Sequence, residues 1–367
     1  MKTSLAPALV GHAFQQTAIL AMLPLIASRL GLSNAAVGAV VATGMAMATM
    51  TIPLMGLVGS RRLVPAALVA MLVCSIGLVL LLLVDLTPAI ALAGLLVLRL
   101  VQGMSAATVL VAAQTASLDD AATARHRLAA TQSFAGIGRA ASAVLVGPLV
   151  AISVVLPMLP AMFGGLWSLA RLNRNLEDNA VADVGGFMPP DLRALILPAL
   201  VQASLGATHV SLAPLLAAQP HLGDLSAATY AGFALAAANL GLLVAHRFLT
   251  AKVELAGMRV AAGLGGAALL VIALLPAPAL VVALSGIVGA TSAILLTRNL
   301  FGALSRSKQR GTSQAAWNAT VSTGGLALGA LIGSAGLTIG PSLSVALSAG
   351  LMASALLALT PTRKTAT

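Results

Sequence analysis

The sequence predicts an all-α membrane protein with twelve transmembrane helices, arranged as two pseudo-symmetric six-helix halves. Three observations predict this fold. The chain is 59% hydrophobic and only 8% charged. Its apolar residues form twelve stretches, each close to the roughly 20 residues that a helix needs to cross a bilayer. Its lysines and arginines are concentrated in every second connection between those stretches. A soluble domain, with about 25% charged residues, is therefore excluded.

The charge balance indicates which partners to expect. A net charge of +11 would suggest nucleic-acid binding in a soluble protein, but here the basic residues are spread over short connections and aromatic residues make up only 3%. Attraction to an anionic inner leaflet explains the charge better. The one cysteine, Cys74, lies in an apolar stretch, which excludes an intrachain disulfide and a cysteine-based zinc site. We expect a lipid bilayer as the environment, with no nucleic acid, metal or cofactor.

The predicted spans form two sets of six. The first set covers residues 5–27, 35–58, 63–84, 88–117, 128–150 and 153–171. The second set covers residues 192–217, 225–248, 257–275, 279–300, 312–336 and 341–360. The one long polar stretch lies between the sets and ends with two helix-stopping prolines. The sequence therefore predicts an N-terminal six-helix half (1–172), a cytoplasmic linker (173–191) and a C-terminal six-helix half (192–367).

The positions of the basic residues predict the orientation. Outside the predicted spans, only Arg29 falls at a connection of the opposite set. By the positive-inside rule, the connections rich in Lys and Arg face the cytoplasm, and so do both termini. We expect a multi-pass protein of the bacterial inner membrane, present as a monomer.

The two halves share a weak internal repeat. The sequence Leu23-Pro24-Leu25, followed by Leu30-Gly31-Leu32-Ser33, is echoed by Ala213-Pro214-Leu215 and Leu222-Gly223-Asp224-Leu225-Ser226. Chance similarity between apolar segments is the alternative. A repeat of six-helix halves is typical of transporters that bind their substrate at the midplane, between the halves.

Three short segments resemble motifs of one transporter family. They are Arg99-Leu100-Val101-Gln102-Gly103 in span four, Gly56-Leu57-Val58-Gly59-Ser60-Arg61-Arg62 after span two, and Gly147-Pro148 in span five. They are similar to the Arg-x-x-Gln-Gly pattern, the cytoplasmic loop motif and the Gly-Pro element of exporter-like branches of the major facilitator superfamily. Ser60 replaces the usual Asp of the loop motif, and Leu149-Val150-Ala151 replaces the usual glycines of the Gly-Pro element. The resemblance covers essentially the whole chain.

The resemblance implies alternating access with gating by two of these motifs, at Gly56, Arg61, Arg62, Gly147 and Pro148. Plainer roles remain open. The two arginines can simply hold the topology, and the proline can simply help to end its span.

Two arginines, Arg99 and Arg139, lie near mid-depth of their predicted spans, where an ionisable group is costly and usually functional. All nine acidic residues fall in connections or at helix ends, so neither arginine has an obvious acidic partner. A guanidinium in a cavity binds carboxylate or phosphate well. We therefore expect a small-molecule substrate that carries negative charge. A structural role, bonding neighbouring helices, is the alternative.

Neutral polar residues repeat at helical spacing and are expected to line a cavity. Two histidines, His12 and His209, are candidates for carrying a coupling proton, and an interhelical hydrogen bond is the alternative role for each. With the two arginines, the expected substrate-binding residues are Gln15, Gln16, Gln102, Gln202, Trp317 and Asn318.

The pattern favours a secondary transporter over other classes of protein. No nucleotide-binding Gly-x-x-x-x-Gly-Lys-Ser/Thr motif is present. An enzyme is disfavoured because the carboxylates are peripheral and the histidines isolated. We expect proton-linked efflux, by antiport, of a small anionic or amphipathic compound such as a carboxylate siderophore. Uptake of an organic acid and a non-transporting sensor or scaffold are the alternatives.

Overall fold

The structure is a computed structural model that describes residues 2–58, 63–117, 124–172, 192–249, 253–306 and 311–359. The first half contains α1 (Lys2–Ala21), α2 (Leu23–Leu30), α3 (Asn34–Val58), α4 (Val64–Leu83), α5 (Pro88–Ser117), α6 (Ala124–Ile152), a 3₁₀ turn (Leu156–Met158) and α7 (Leu159–Ala170). The second half contains α8 (Leu192–Ala217), α9 (Asp224–Phe248), α10 (Leu255–Leu274), α11 (Pro278–Arg306), α12 (Gly311–Leu337) and α13 (Pro341–Ala358).

These helices confirm the predicted all-α membrane fold. Within the described residues, ten helices are long and apolar enough to cross a membrane, and a bent pair makes eleven. Their order follows the predicted spans, with two differences described below. The division into two halves and a linker stays a prediction, because residues 173–191 lie outside the described part of the chain.

The first predicted span, 5–27, is two helices rather than one. Helices α1 and α2 meet at Met22 with a bend of 72°. Pro24 lies in the first turn of α2, and proline clashes with the turn before it, so a straight helix cannot continue there. Helix α2 ends at Gly31, whose φ of 64° is left-handed. The N–H of Gly31 donates to the Ser28 carbonyl at 3.3 Å, and the N–H of Leu32 donates to the Ala27 carbonyl at 2.8 Å. Glycine adopts this helix-ending conformation without strain.

The sixth predicted span, 153–171, is also irregular. After α6 the chain forms the 3₁₀ turn, and α7 begins only at Leu159 and contains 12 residues. Pro157 and Pro160 each lie in the first turn of their element, where a proline starts a helix but cannot extend the preceding one. At 1.5 Å per residue, α7 is about 18 Å long, shorter than the apolar core of a bilayer.

Arg29, the exception to the charge pattern, is neutralised locally. Its guanidinium donates to the Leu82 carbonyl (Nε, 3.0 Å) and the Leu83 carbonyl (Nη2, 3.3 Å) at the end of α4. It also pairs with Asp85 at 3.1 Å. A cation is favourable at the C-terminal end of a helix. The local partners explain why a lone arginine is tolerated on the side that the charge pattern assigns to the exterior.

Helices of the two predicted halves pack against each other, α3 with α12 and α6 with α9. Gly38 of α3 lies against Val210 and Ser334, and a Cβ at Gly147 of α6 would lie 2.6 Å from Thr229 Oγ1 of α9. Small residues allow this close approach of helices in lipid. These contacts lie toward the connections 31–33, 153–155 and 218–223. We call this end of the bundle the outer end, following the predicted orientation.

Candidate functional site

Helix α6 exposes an arginine on its inward face. The face toward lipid carries Ile137 (56% exposed) and Val144 (52% exposed). At 100° per residue, Arg139 lies about 160° around the helix from Ile137. One to two turns toward the outer end, Ala143 and Val146, on the same side as Arg139, are 1% and 0% exposed. Arg139 itself is exposed. The inward face of α6 is thus accessible to solvent at Arg139 and buried from Ala143 toward the outer end.

Helix α8 shows the same change from open to closed. Four of its partly exposed residues form one row at helical spacing, namely Ala199, Gln202, Leu205 and His209. The residues that follow toward the outer end, including Leu212 and Leu216, are 2% and 0% exposed. Helices α1 and α9 each pack against both α6 and α8. The open faces of α6 and α8 therefore lie on either side of the boundary between the predicted halves.

We call this space the central cavity and define it by Gln16, Arg139, Gln202, His209 and Asn318. Gln16 of α1 and Asn318 of α12 are both half-buried, as are the neighbouring wall residues His12 and Trp317. The cavity is closed toward the outer end by the α6 and α8 residues described above. Polar residues of four different predicted spans are thus candidates for the wall of this cavity.

The guanidinium of Arg139 is the free cation of the central cavity. Within the described residues it forms no hydrogen bond and no ion pair. The three described carboxylates, Asp85, Asp224 and Glu254, lie at helix ends or next to them. Its charge is therefore available to a bound anion.

Arg99 lies in very different surroundings. It is 3% exposed, so it is packed in the interior of the first half instead of facing the cavity. Its Nη1 donates to Gln102 Oε1 at 2.5 Å, and its Nη2 donates to Gln16 Oε1 at 2.8 Å. The network continues from Gln102 Nε2 to Gln15 Oε1. Amide dipoles, rather than a carboxylate, stabilise this buried cation.

The rest of the network fixes Gln15. Its Oε1 also accepts from Ser75 Oγ at 3.3 Å, and its Nε2 lies 3.7 Å from Met158 Sδ. Gln15 and Gln102 are 0% and 1% exposed. Of the three glutamines in the network, Gln16 is the one that is partly exposed and lies at the cavity. Its amide nitrogen forms no hydrogen bond within the described residues. Gln16 therefore links the buried network to the cavity wall.

Replacing Gln102 with Leu should destabilise the protein. The change removes the acceptor of one Arg99 donor and the donor to Gln15 while both remain buried, which costs about 1 to 3 kcal/mol. Thermal unfolding of the detergent-purified protein measures the loss. Ser105→Ala on the same helix is the matched control, because within the described residues the Ser105 hydroxyl bonds only to the Val101 carbonyl of its own helix. Equal melting temperatures for the two variants would contradict the network.

Three further residues shape this region, and the sequence did not predict them as part of the site. A Cβ at Gly44 would lie 3.2 Å from Arg99 Nε, so the absence of a side chain on α3 makes room for the guanidinium. Gly136, one turn before Arg139, has open space in front of it. Ser142 Oγ is buried without a hydrogen-bond partner in the described residues, one turn beyond Arg139. A list of polar side chains could not find the glycines, because their role is to leave space.

The gating motifs are only partly described. Arg61 and Arg62 lie outside the described residues, and Gly56 lies in the last turns of α3. Gly147 is buried against Thr229 of the other half, while Pro148 is exposed inside α6. Gly147 therefore lies at a contact between the halves, and its role in gating stays a prediction.

Comparison with solved structures identifies the fold. No family model and no curated protein matches the sequence. The nucleoside transporter NupG matches with a TM-score of 0.71 and 13% identity, covering 98% of both chains. A bacterial homologue of the human lysosomal transporter Spinster, inward-facing and occupied, matches with a TM-score of 0.71 and 15% identity, covering 97% of this chain and 93% of that one.

A bacterial homologue of the iron transporter ferroportin in its inward-facing state matches with a TM-score of 0.68 and 13% identity, over 97% of this chain and 98% of that one. At these identities the similarity shows a shared fold over nearly the whole chain. The Spinster and ferroportin homologues are both in an inward-facing state, in which a central cavity is closed at the outer end.

Proposed function

We propose that this chain, whose fold is that of the major facilitator superfamily, is a secondary transporter working by alternating access. Its central cavity lies between two packed halves and is closed at the outer end, as a midplane site requires. The contacts between α6 and α9, at Gly147 and Thr229, are the ones that would separate when the cavity opens outward. A sensor or scaffold needs no such one-sided cavity.

The substrate that the cavity fits best is a small organic anion. The observation that carries this is the exposed Arg139 guanidinium, without a carboxylate partner among the described residues. An anion there forms charge-assisted hydrogen bonds, with Gln16 and Asn318 able to bond to its neutral groups. Arg99 holds Gln16 in place and is a positioning residue. The direction of transport stays a prediction, either proton-linked efflux or uptake of an organic acid.

A two-stage experiment tests this function. The purified protein is first heated with glucuronate or with its neutral counterpart glucose, because a ligand that binds the folded state raises its melting temperature. A carboxylate series including citrate extends the test. We expect stabilisation by an anion and not by its neutral partner. The stabilising anion is then supplied to sealed proteoliposomes. Binding without flux would favour the sensor alternative, and stabilisation by cationic compounds alone would contradict anion selectivity.

Filling the open space at Gly136 should block transport without unfolding the protein. A Phe side chain there extends into the cavity one turn from Arg139, while an Ala adds only a Cβ that meets nothing within 4 Å. We expect Gly136→Phe to reduce flux at least about tenfold, as loss of one well-placed substrate contact does, and Gly136→Ala to retain flux. Flux and melting temperature are measured for both. Full flux in Gly136→Phe would place the substrate path elsewhere.

A further inference from the structure

The end of α7 presents an arginine that is stacked on a tryptophan at the surface of the bundle. The guanidinium carbon of Arg171 lies 4.5 Å from the centroid of the Trp167 ring. The two residues are four apart in the chain, so they lie on the same side of the helix end. Trp167 is 53% exposed, and Arg171 is exposed as well. Because a cation over an indole face is held electrostatically, the stack fixes the guanidinium in place.

Helix α7 is turned by its packing so that this pair faces away from the bundle. A Cβ at Gly164 would collide with the Pro7 carbonyl of α1. The Ser168 hydroxyl accepts a hydrogen bond from the Ala8 N–H at 3.0 Å. Small residues allow such close approach of helices in lipid. With these residues held against α1, the side of α7 that carries Trp167 is left to the surrounding lipid.

The packing of α7 on α1 also sets the depth of the pair. A Cβ at Gly11 would collide with the Pro160 carbonyl, and a Cβ at Gly164 would collide with the Pro7 carbonyl. Four residues toward the start of α1 thus correspond to four residues toward the end of α7, so the helices are antiparallel. Continued at this spacing, the pairing brings Arg171 level with the start of α1. Arg171 therefore lies at the inner end of the bundle, where lipid headgroups and interfacial tryptophans are found.

The guanidinium of Arg171 is free to bind a further group. Within the described residues it forms no hydrogen bond and no ion pair. Stacking uses one face of the planar group and leaves its N–H edges available. These edges match the oxygens of a phosphate in geometry and charge. A phosphate is therefore the group that this arginine is best placed to bind.

Two other arginines of the inner end are less suitable. Arg259 donates to the Leu359 carbonyl at the end of α13, at 3.0 Å, so part of its guanidinium is already used. Arg247 lies 5.6 Å from the centroid of the Phe248 ring. A phenyl ring binds a cation less well than an indole, and adjacent residues in a helix do not face each other. The arrangement of Arg171 on Trp167 is therefore the better-formed site.

Apolar side chains continue from this arginine toward the middle of the bilayer. Phe163 and Leu166 of α7 are 66% and 53% exposed, and Val69 of the neighbouring helix α4 is 45% exposed. Helix α4 packs beside α7, where a Cβ at Gly165 would lie 3.9 Å from Leu72 Cβ. Counted from this contact at 100° per residue, the exposed residues of both helices lie on the same side of the pair. A phosphate that carries acyl chains covers this surface, whereas a free phosphate leaves it uncovered.

We propose that Arg171 and Trp167 form a binding site for an anionic phospholipid. The phosphate binds to the edges of the guanidinium, and an acyl chain lies along Phe163 and Leu166. The site differs from the diffuse attraction between basic connections and an anionic leaflet, because the stack holds one guanidinium in a defined position. A zwitterionic lipid gains less, since its own ammonium group already neutralises the phosphate. This inference is independent of the proposed transport function.

Native mass spectrometry of the full-length, delipidated protein in detergent tests the site. The protein is titrated with phosphatidylglycerol, which is anionic, or with phosphatidylcholine, which is zwitterionic. We expect one phosphatidylglycerol to bind roughly tenfold more tightly than phosphatidylcholine, because charge-assisted hydrogen bonds are the stronger ones. Equal affinity for the two lipids would overturn the proposal. Glycerol 3-phosphate has the phosphate without the acyl chains and should not displace the lipid. Displacement at equal concentration would show a site for free phosphate instead.

Three substitutions separate the stacked site from net charge. Arg171→Gln should lower the affinity for phosphatidylglycerol roughly tenfold, to that for phosphatidylcholine. Trp167→Leu keeps the charge but removes the ring, and should also weaken binding. Arg259→Gln is the matched control, because it removes the same charge at the inner end from a guanidinium that is bonded to the Leu359 carbonyl. It should bind phosphatidylglycerol as the wild type does.

The fold should survive at both site positions, because Arg171 and Trp167 are exposed. Melting temperatures check this for each variant. Trp167→Phe retains a weaker ring and should bind with intermediate affinity. Equal losses of affinity in Arg171→Gln and Arg259→Gln would show attraction by net charge alone and overturn the site. Wild-type affinity in Trp167→Leu would contradict the role of the stack.

Discussion

Replacing Arg139 with Gln should weaken binding of an anionic substrate roughly 10- to 100-fold, because hydrogen bonds to a charged group contribute about 1.5 to 3 kcal/mol. Arg139 is exposed on the inward face of α6, and within the described residues no carboxylate bonds to it. Its removal therefore leaves no protein group unpaired, and the fold should be preserved. Titration of the stabilising anion, followed by melting temperature, measures the affinity.

Arg139→Lys is the informative control for this variant. A lysine keeps the charge but lacks the planar fork that matches a carboxylate, so we expect intermediate affinity and measurable flux. If the site instead bound a neutral compound, Arg139→Gln and Arg139→Lys would behave alike. Wild-type affinity for the anion in Arg139→Gln would remove the arginine from the binding site and leave the fold unaffected.

Sequence alone is sufficient for the architecture because the bilayer imposes it. A helix must supply about 20 apolar residues to cross the hydrocarbon, and such stretches are visible without knowing any contact. The two errors in the helices both occur at prolines. Whether Pro24 bends, ends or merely starts a helix depends on neighbouring packing, which hydropathy does not encode. The same holds for the pair Pro157 and Pro160.

The candidate site was less accessible to sequence reasoning, as the two arginines show. Both lie near mid-depth of a predicted span and both lack a nearby acidic residue, so the sequence treats them alike. The structure places Arg99 among the amides of Gln16 and Gln102, and Arg139 in the cavity. Which face of a helix meets a cavity depends on the partner helix. Spacing identifies residues that share a face, but not what that face contacts.

Substituting Gly103 with Ala should destabilise the first half strongly, although the change adds a single methyl group. Helices α3 and α5 cross with their backbones in contact at Gly103, where a Cβ would collide with the Gly44 carbonyl and lie 3.3 Å from the Ala48 nitrogen. Backbone atoms cannot move aside as a flexible side chain does. The helices must separate, with a cost of about 1 to 3 kcal/mol from overpacking.

The position of this crossing links stability to function. Gly103 directly follows Gln102, and it lies one turn from Arg99 on the same face of α5. A Cβ on the opposing residue Gly44 would lie 3.2 Å from Arg99 Nε, so the guanidinium occupies the space that this glycine leaves. Separating the two helices should therefore displace Arg99 and release Gln16 from the cavity wall. We expect Gly103→Ala to lower both the melting temperature and the anion flux.

The same substitution at a second glycine provides the control. Gly263 lies in α10, where a Cβ would meet nothing within 4 Å. Alanine is favoured over glycine inside a helix by about 1 kcal/mol, so Gly263→Ala should leave the melting temperature unchanged or raise it. A lower melting temperature for Gly103→Ala than for Gly263→Ala supports the close crossing of α3 and α5. If both variants have the melting temperature of the wild type, α3 and α5 do not cross closely at Gly103. The burial of Arg99 between these helices would then be contradicted as well.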